Sequence, residues 1–316
     1  MQIGLLEPDR FDPSALSKLI AMGHTVNRFD GGNLQAFLRP MEVLFVRLSH
    51  NINENFLTQA PLLRYICSAT TGHTHLDENI LASRNIKIIS LRGEQVFLET
   101  VRSTPEHTIG LVLALLRNYR GAFSHVSAGG WNRDLFRGEE LYGQRVGIVG
   151  LGRVGFRVAS YCDAFGAHVS FFDTQDVKAS EAWLRLSSIK QLIKSSRIII
   201  LCASHANETK PVFGASEIAL LHGRYLINTA RGELIDENAL LVAIEEGQLA
   251  GLATDVISNE TGVNQLERWN AAATGHNVII TPHIAGATFS AMARTEQFIV
   301  DKLVATLQGR RLNDVD

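Results

Sequence analysis

Short apolar runs alternate with helix-length amphipathic stretches almost throughout this chain, and they do so in two separate series. In the first third the strand-like runs are IGLL, TVNRF, EVLFVRL, RYICSA and IKIIS. Between them lie PSALSKLIAM, NLQAFLRP, NENFLTQA and LDENILASR, each with helical spacing. The second series runs RVGIVG, HVSFFD, RIIILCA, RYLINTA, GLATDV and NVIIT. Strands that are apolar on both faces need helices on both faces of their sheet, and strand–helix alternation argues for parallel pairing. Two such series predict an α/β chain with two doubly wound parallel-sheet domains.

The stretch PEHTIGLVLALLRNYRGAFSHVSAGGW separates the two series. It is too long and too apolar for a connector and predicts a long helix packed against something large. At the C-terminus, SAMARTEQFIVDKLVATLQG predicts another long helix with a glycine stop. There is no tandem repeat and no low-complexity linker, so the domain boundaries are expected as short hinges near 101–105 and 284–290.

Composition narrows the function classes. With 316 residues, 46% of them hydrophobic, the chain can build two cores. A formal net charge of -2 offers no basic face to nucleic acid or to an anionic membrane. MQIGLLEPDR has an acid inside its first apolar run and no cleavage site, so it is not expected to be a signal peptide. IGLVLALL and IIILCA are too short to span a bilayer. Cys67, Cys162 and Cys202 are scattered, with no CxxC pair. That spacing predicts free thiols in a reducing, cytoplasmic setting; no metal site is assigned and no cysteine is a candidate nucleophile.

RVGIVGLGRVGFRVASYCDAFGAHVSFFD places Gly150, Gly152 and Gly155 in G-x-G-x-x-G register, after a strand and at the opening of a helix. Alone the pattern is weak; in this context it is a dinucleotide fingerprint. Gly150 permits the tight turn, Gly152 lets backbone approach a pyrophosphate, and Gly155 lets the helix pack on the strand. The helix N-terminus supplies amides and partial positive charge. Asp173 closes the next strand 18 residues after Gly155, near the expected spacing of roughly 20. Its carboxylate suits ribose hydroxyls and repels a 2′-phosphate, and the following TQD holds no Arg or Lys. NAD is therefore expected over NADP.

Three later strands end in charged or titratable residues: Arg231 in INTARGELIDENAL, Glu260 after LATDVISNE, and His283 in ITPHIAG. Each singly has a bland account as a surface ion pair, a solvated loop or a structural histidine. Together, beyond the carboxyl ends of strands where open α/β sheets bind ligands, they make an anion receptor, a carboxylate and a proton donor. Arg231 suits a carboxylate because its planar fork meets two oxygens at once.

With these motifs in this order, the chain resembles the D-isomer-specific 2-hydroxyacid dehydrogenases, over nearly its whole length. SATTGHTHLD, SLRGE, TPEHTIGLVLALLRN, VGIVGLGRVG, LATDV with Glu260, and TPHIAGAT also look like family segments. The resemblance implies a Rossmann NAD-binding domain over 104–287 and a discontinuous, flavodoxin-like substrate domain over 1–103 and 288–316. It implies that the segment around 104–141 docks on a second subunit, giving a homodimer. Arg231 matches the arginine that holds the substrate carboxylate and carbonyl, His283 the acid/base, and Glu260 its carboxylate partner. Asp255 matches a residue on the nicotinamide side of the cofactor. Arg153, Val154, Ala203, Ser204, Thr229, Ala230 and Gly286 fall with Gly150, Gly152, Gly155, Asp173 and His283 among the cofactor positions. Thr71 and Gly72 fall in the loop whose amides meet the substrate carboxylate.

The implied reaction is hydride transfer between NAD and a small D-2-hydroxy acid or its 2-oxo acid, of 3-phosphoglycerate, glycerate/hydroxypyruvate or glyoxylate type. Arg47, ending EVLFVRL, is expected to face the cleft and to receive a second anionic or polar group, with His73 assisting. Two other readings stay open: an NAD(H)-binding regulatory protein of the same fold, and a formate or phosphite dehydrogenase sibling. Formate-type relatives pair the histidine with glutamine, so Glu260 argues against that branch. The chain departs from the family pattern at Thr261, where proline is usual, at His73 and Thr74, and in SHANET, where Ser204, His205, Ala206 and Asn207 replace the usual loop.

Overall fold

The computed structural model describes residues 1–204 and 211–310. His205, Ala206 and Asn207 of the altered loop lie outside the described residues. The chain divides into two compact units, Met1–Val101 with Thr288–Asp316, and Arg102–Ala287.

In the smaller unit the strands are β1 (Gln2–Leu5), β2 (Thr25–Arg28), β3 (Val43–Val46), β4 (Tyr65–Ser68) and β5 (Lys87–Ser90). They pair in parallel in the order β2-β1-β3-β4-β5, the doubly wound order of flavodoxin-like sheets. Because successive strand residues point to opposite faces, each sheet face carries its own core. On one face Ile3, Phe45 and Cys67 pack with Ile299, Val300 and Leu303 of the C-terminal helix Phe289–Leu307. On the other, Leu44, Val46 and Ile66 pack with Leu38, Leu57 and Leu81. The apolar stripe of the last helix is what returns the chain's end to the first sheet. Helix starts are set by short polar caps: Asp12, Asn33, Asn53 and Asp77 each accept the amide three residues on.

The larger unit carries β6 (Arg145–Val149), β7 (His168–Phe172), β8 (Leu184–Arg185), β9 (Ile198–Leu201), β10 (Tyr225–Asn228), β11 (Gly251–Thr254) and β12 (Val278–Ile280). Among the described residues they form a seven-stranded parallel sheet, β12-β11-β10-β9-β6-β7-β8. The order reverses between β6 and β9, which pair with Val146 opposite Ile198 and Val149 opposite Leu201. That is the Rossmann order with one strand added at the edge. In β9, Ile199 and Leu201 belong to one core and Ile198 and Ile200 to the other, so the all-apolar run is a strand buried on both faces.

Two features differ from the pattern expected of the sequence. The two-residue strand β8 is too short to show a period. The expected long helix is two helices, Ser103–Leu116 and Tyr119–Ser127, broken at Asn118, whose φ of 51° reverses the chain. Asparagine tolerates that left-handed conformation better than most residues. The first helix buries Ile109, Leu111, Val112, Leu115 and Leu116; the second buries nothing and exposes Phe123 at 65%.

Candidate active site

In the larger unit the glycine loop sits where the strand order reverses. Gly150 has φ 87°, and a Cβ there would lie 2.6 Å from Ala203 Cα, so the loops after β6 and β9 touch only because residue 150 has no side chain. At Gly155 a Cβ would fall 2.0 Å from the Gly150 carbonyl oxygen, so the helix Arg153–Ala164 also seats only on glycine. Gly152 caps that helix and has open space where a Cβ would stand. The loop is thus a cradle at a helix N-terminus, the geometry that binds a pyrophosphate. Asp173, just past β7, accepts the Leu151 amide at 2.7 Å on one oxygen and the Gln175 amide at 2.8 Å on the other. Its carboxylate is therefore fixed beside the cradle. Burial, and secondly the charge of Arg102, push Arg153 below the usual arginine range. Val154 is half-buried against the core, and Ser204 is exposed.

Beyond β10, Asn228 brackets the next turn. Its Oδ1 accepts the Ala230 amide at 3.0 Å and its Nδ2 donates to the Arg231 carbonyl at 2.9 Å. Thr229 turns inward, its hydroxyl 2.7 Å from that of Thr108, so what it can offer a cofactor is backbone. Arg231 donates from Nη1 to the Ala230 carbonyl at 2.6 Å, and no other partner takes its fork among the described residues. Burial lowers its pKa, opposed by the negative charges of Glu260 and Glu233. A half-buried guanidinium with unspent donors is a receptor for an anion.

Next in sequence, Gly232 solves a crossing problem. A Cβ there would lie 2.1 Å from the Ile257 carbonyl carbon, so the loop after β11 passes over residue 232 only because it is glycine. That loop carries Glu260. Glu237 anchors it, accepting the Ser258 amide at 3.0 Å, the Gln265 side chain at 2.9 Å and the Trp269 indole at 2.7 Å.

Past β12, Thr281 and Pro282 lead into His283, whose φ is 52°. Its Nδ1 lies 2.6 Å from Glu260 Oε2, with the two side chains 25% and 30% exposed. A ring nitrogen that close to a carboxylate carries the proton, which leaves Nε2 as the ring atom available to exchange one. Asp255 supports the turn. It accepts the Thr281 hydroxyl at 2.6 Å and the Ile284 and Ala285 amides at 2.8 Å. Burial would raise its pKa, but these bonds and the nearby His107 outweigh burial and hold it below the usual aspartate value. Asp255 is thus heavily committed to the turn that carries His283. Gly286 is exposed at the end of that turn.

In the smaller unit the candidate residues behave differently. Thr71 is exposed and Gly72 half-buried, and the turn is tied by the Thr70 hydroxyl donating to the Gly72 carbonyl at 2.9 Å. His73 points into the protein. Its Nε2 is 2.8 Å from Ser90 Oγ, and its Nδ1 is 3.3 Å from Glu78 Oε1 but off the hydrogen-bond direction. Arg47 donates from Nη2 to Glu296 at 2.7 Å and from Nη1 to the Asp9 carbonyl at 2.9 Å. Both side chains are therefore already engaged within their own unit, unlike the expectation of groups standing ready for substrate. The cysteines are unpaired, and burial pushes Cys162 and Cys202 up to about 12, far from thiolate chemistry.

Residues that the sequence reading did not single out complete the site: Asn228, Gly232, Glu237 and His107. Asn228 and Gly232 flank Arg231 closely enough that a bracketed turn could have been suspected. Glu237 and His107 act on partners far away in sequence and left no local signal.

Residues 109–285 match the family model described as D-isomer specific 2-hydroxyacid dehydrogenase, NAD binding domain. The chain belongs to that family. NAD is its cofactor, and the cradle of Gly150, Gly152 and Gly155 with Asp173 fits the nucleotide. Among family relatives, the glyoxylate reductase of Aeropyrum pernix is 30% identical, covering 86% of this chain and 82% of its own. The D-3-phosphoglycerate dehydrogenase of Methanocaldococcus jannaschii is 29% identical over 88% of this chain, which spans only about half, 52%, of that longer protein. A structure of the D-lactate dehydrogenase of Aquifex aeolicus with NAD and lactic acid superposes with a TM-score of 0.83 at 26% identity, covering 100% of this chain and 97% of that one. No helix among the described residues is long and apolar enough to cross a membrane.

Proposed function

We propose that the chain is an NAD-dependent oxidoreductase that interconverts a small D-2-hydroxy acid and its 2-oxo acid. The observation that carries this reading is His283 Nδ1 at 2.6 Å from Glu260, on the same sheet edge as the unspent fork of Arg231. Bound NADH supplies hydride to the carbonyl carbon of the 2-oxo acid. Arg231 holds the substrate's carboxylate and carbonyl oxygens through its fork. His283 donates the Nε2 proton to the carbonyl oxygen as negative charge develops there, and in the other direction takes the hydroxyl proton. Glu260 keeps the Nδ1 proton in place, so that Nε2 is always the exchanging atom. Asp173 selects NAD over NADP, since a 2′-phosphate would meet a fixed carboxylate.

The substrate is of glyoxylate, glycerate/hydroxypyruvate or 3-phosphoglycerate type. Arg47 already pairs with Glu296, so a phosphate would have to displace that carboxylate; this favours an unphosphorylated acid. The exposed Tyr119, Phe123, Val126, Trp131 and Leu135, the tryptophan at 91%, support a homodimer through this segment. Free buried thiols support a cytoplasmic setting.

The test is turnover of a 2-oxo acid panel with NADH and with NADPH, in wild type and His283→Ala. The expected result is NADH-dependent reduction of a small 2-oxo acid, lowered about 10²–10⁴-fold in the variant with NADH binding retained. Tight NADH binding without turnover of any acid would overturn the enzymatic reading in favour of a regulatory one.

A further inference from the structure

The backbone of His283 occupies the left-handed region, with φ 52°. For a residue with a side chain such a conformation is strained and persists only where its surroundings over-determine it. Asp255 supplies most of that constraint. Its carbonyl accepts the His283 amide at 2.8 Å, and its two carboxylate oxygens accept the Ile284 and Ala285 amides at 2.8 Å each. A further tie comes from a different element. His107, on the helix Ser103–Leu116, has Nε2 at 3.2 Å from Thr281 Oγ1 and at 3.4 Å from Asp255 Oδ1. Thr281 Oγ1 donates its only proton to that same Oδ1 at 2.6 Å. The threonine oxygen therefore has lone pairs alone to offer, and His107 Nε2 must be the donor. The same helix otherwise contributes hydrocarbon to its core, through Ile109, Leu111 and Val112. Packing does not call for an imidazole there, and neither hydride nor proton transfer uses it.

We propose that His107 is a positioning residue for the proton-exchanging histidine, acting through Thr281 and Asp255 to fix the direction in which His283 presents Nε2. The inference rests on the reading above that His283 exchanges the substrate's proton. A displacement of about 1 Å at a reacting group is worth about 10²-fold in rate, so a support removed from the contact itself has a measurable effect.

The experiment compares His107→Phe, His107→Gln, Thr281→Val and the double variant His107→Phe/Thr281→Val in the full chain. Glutamine can place an amide N–H where the imidazole Nε2–H stands; phenylalanine fills the volume without a donor. Expected are a kcat about 10–100-fold lower in His107→Phe, KM for the 2-oxo acid and Kd for NADH within about twofold of wild type, and recovery of most of the loss in His107→Gln. Because the two side chains act along one line, the double variant should be no slower than the slower single variant. A wild-type kcat in His107→Phe, an equally slow His107→Gln, or losses that multiply in the double variant would each overturn the proposal. A second readout does not need turnover: ¹⁵N–¹H NMR of the histidine rings. The hydrogen-bonded Nδ1–H signal of His283 should be sharp in wild type and His107→Gln and broadened or lost in His107→Phe. A signal sharp in wild type and lost in His107→Phe, beside a wild type that reduces no acid, would sink the activity reading and leave the positioning intact. An unchanged signal and kcat in His107→Phe, beside normal wild-type turnover, would sink the positioning alone.

Discussion

Each unit places an arginine just past a buried parallel strand and a histidine in a strand-end loop, yet the two pairs have opposite fates. In the smaller unit Arg47 is taken by Glu296 and the Asp9 carbonyl, and His73 is buried against Ser90 and Glu78. In the larger unit, among the described residues, Arg231 spends one donor on its own neighbour's carbonyl, and His283 engages Glu260 through Nδ1. Residue type and strand position are alike in the two units; what differs is whether a neighbour already satisfies the donors. A half-buried group with unspent donors pays for its desolvation only when a ligand arrives, so the contrast supports the proposed chemical role for the larger unit's pair and a structural one for the smaller unit's pair.

The sharpest way to break this contrast is to make the same change on both sides. Arg231→Lys should lower kcat/KM about 10²–10⁴-fold, because one or two charge-assisted bonds of about 1.5–3 kcal/mol lose their planar geometry. Arg47→Lys should stay within about threefold in the same assay. Equal losses would erase the distinction.

Stability should show the reverse ranking. Arg47→Met leaves Glu296, whose side chain is 4% exposed, without its cationic partner. The expected cost is about 1–3 kcal/mol in urea unfolding, reduced because Arg47 itself is partly solvated. Arg231→Met should cost little or nothing, since no carboxylate among the described residues is bonded to its fork. A larger loss for Arg231→Met would show it to be structural after all.

Freeing Arg47 offers a smaller, more specific effect. Glu296→Gln removes the competing charge, so kcat/KM for a phosphorylated 2-oxo acid should rise severalfold relative to glyoxylate, on the order of 1 kcal/mol. An unchanged ratio would place Arg47 away from any second substrate group.

The smallest effect concerns His73. Burial, then the charge of Arg92, hold its pKa below the ordinary 6.5, with Glu78 acting in the opposite direction. The unfolded chain therefore binds this proton at higher pH than the folded one does. Stability should be unaffected above pH 6.5 and should fall as the pH drops below that value. His73→Phe should flatten the slope of Tm against pH between 7 and 5. If the slope is unchanged, His73 does not titrate differently on unfolding.

Periodicity alone was enough to determine two doubly wound sheets, because a run such as RIIILCA, apolar on both faces, has no other stable environment than the middle of a parallel sheet. The G-x-G-x-x-G register marked the cradle for the same kind of local reason: Gly150 and Gly155 are required by backbone contacts within a few residues or to the adjoining strand. Arg231, Glu260 and His283 were legible because each follows a strand end. The break at Asn118 and the two-residue β8 were not, since one left-handed residue or two paired ones leave no period to detect. Only tertiary structure decided that Arg47 is answered by Glu296, 249 residues away, and that His107 is tied to Thr281, 174 residues away. Hydrogen-bond satisfaction is a property of neighbours in space, and a chain read along its length shows which donors exist but not which of them the fold has already used.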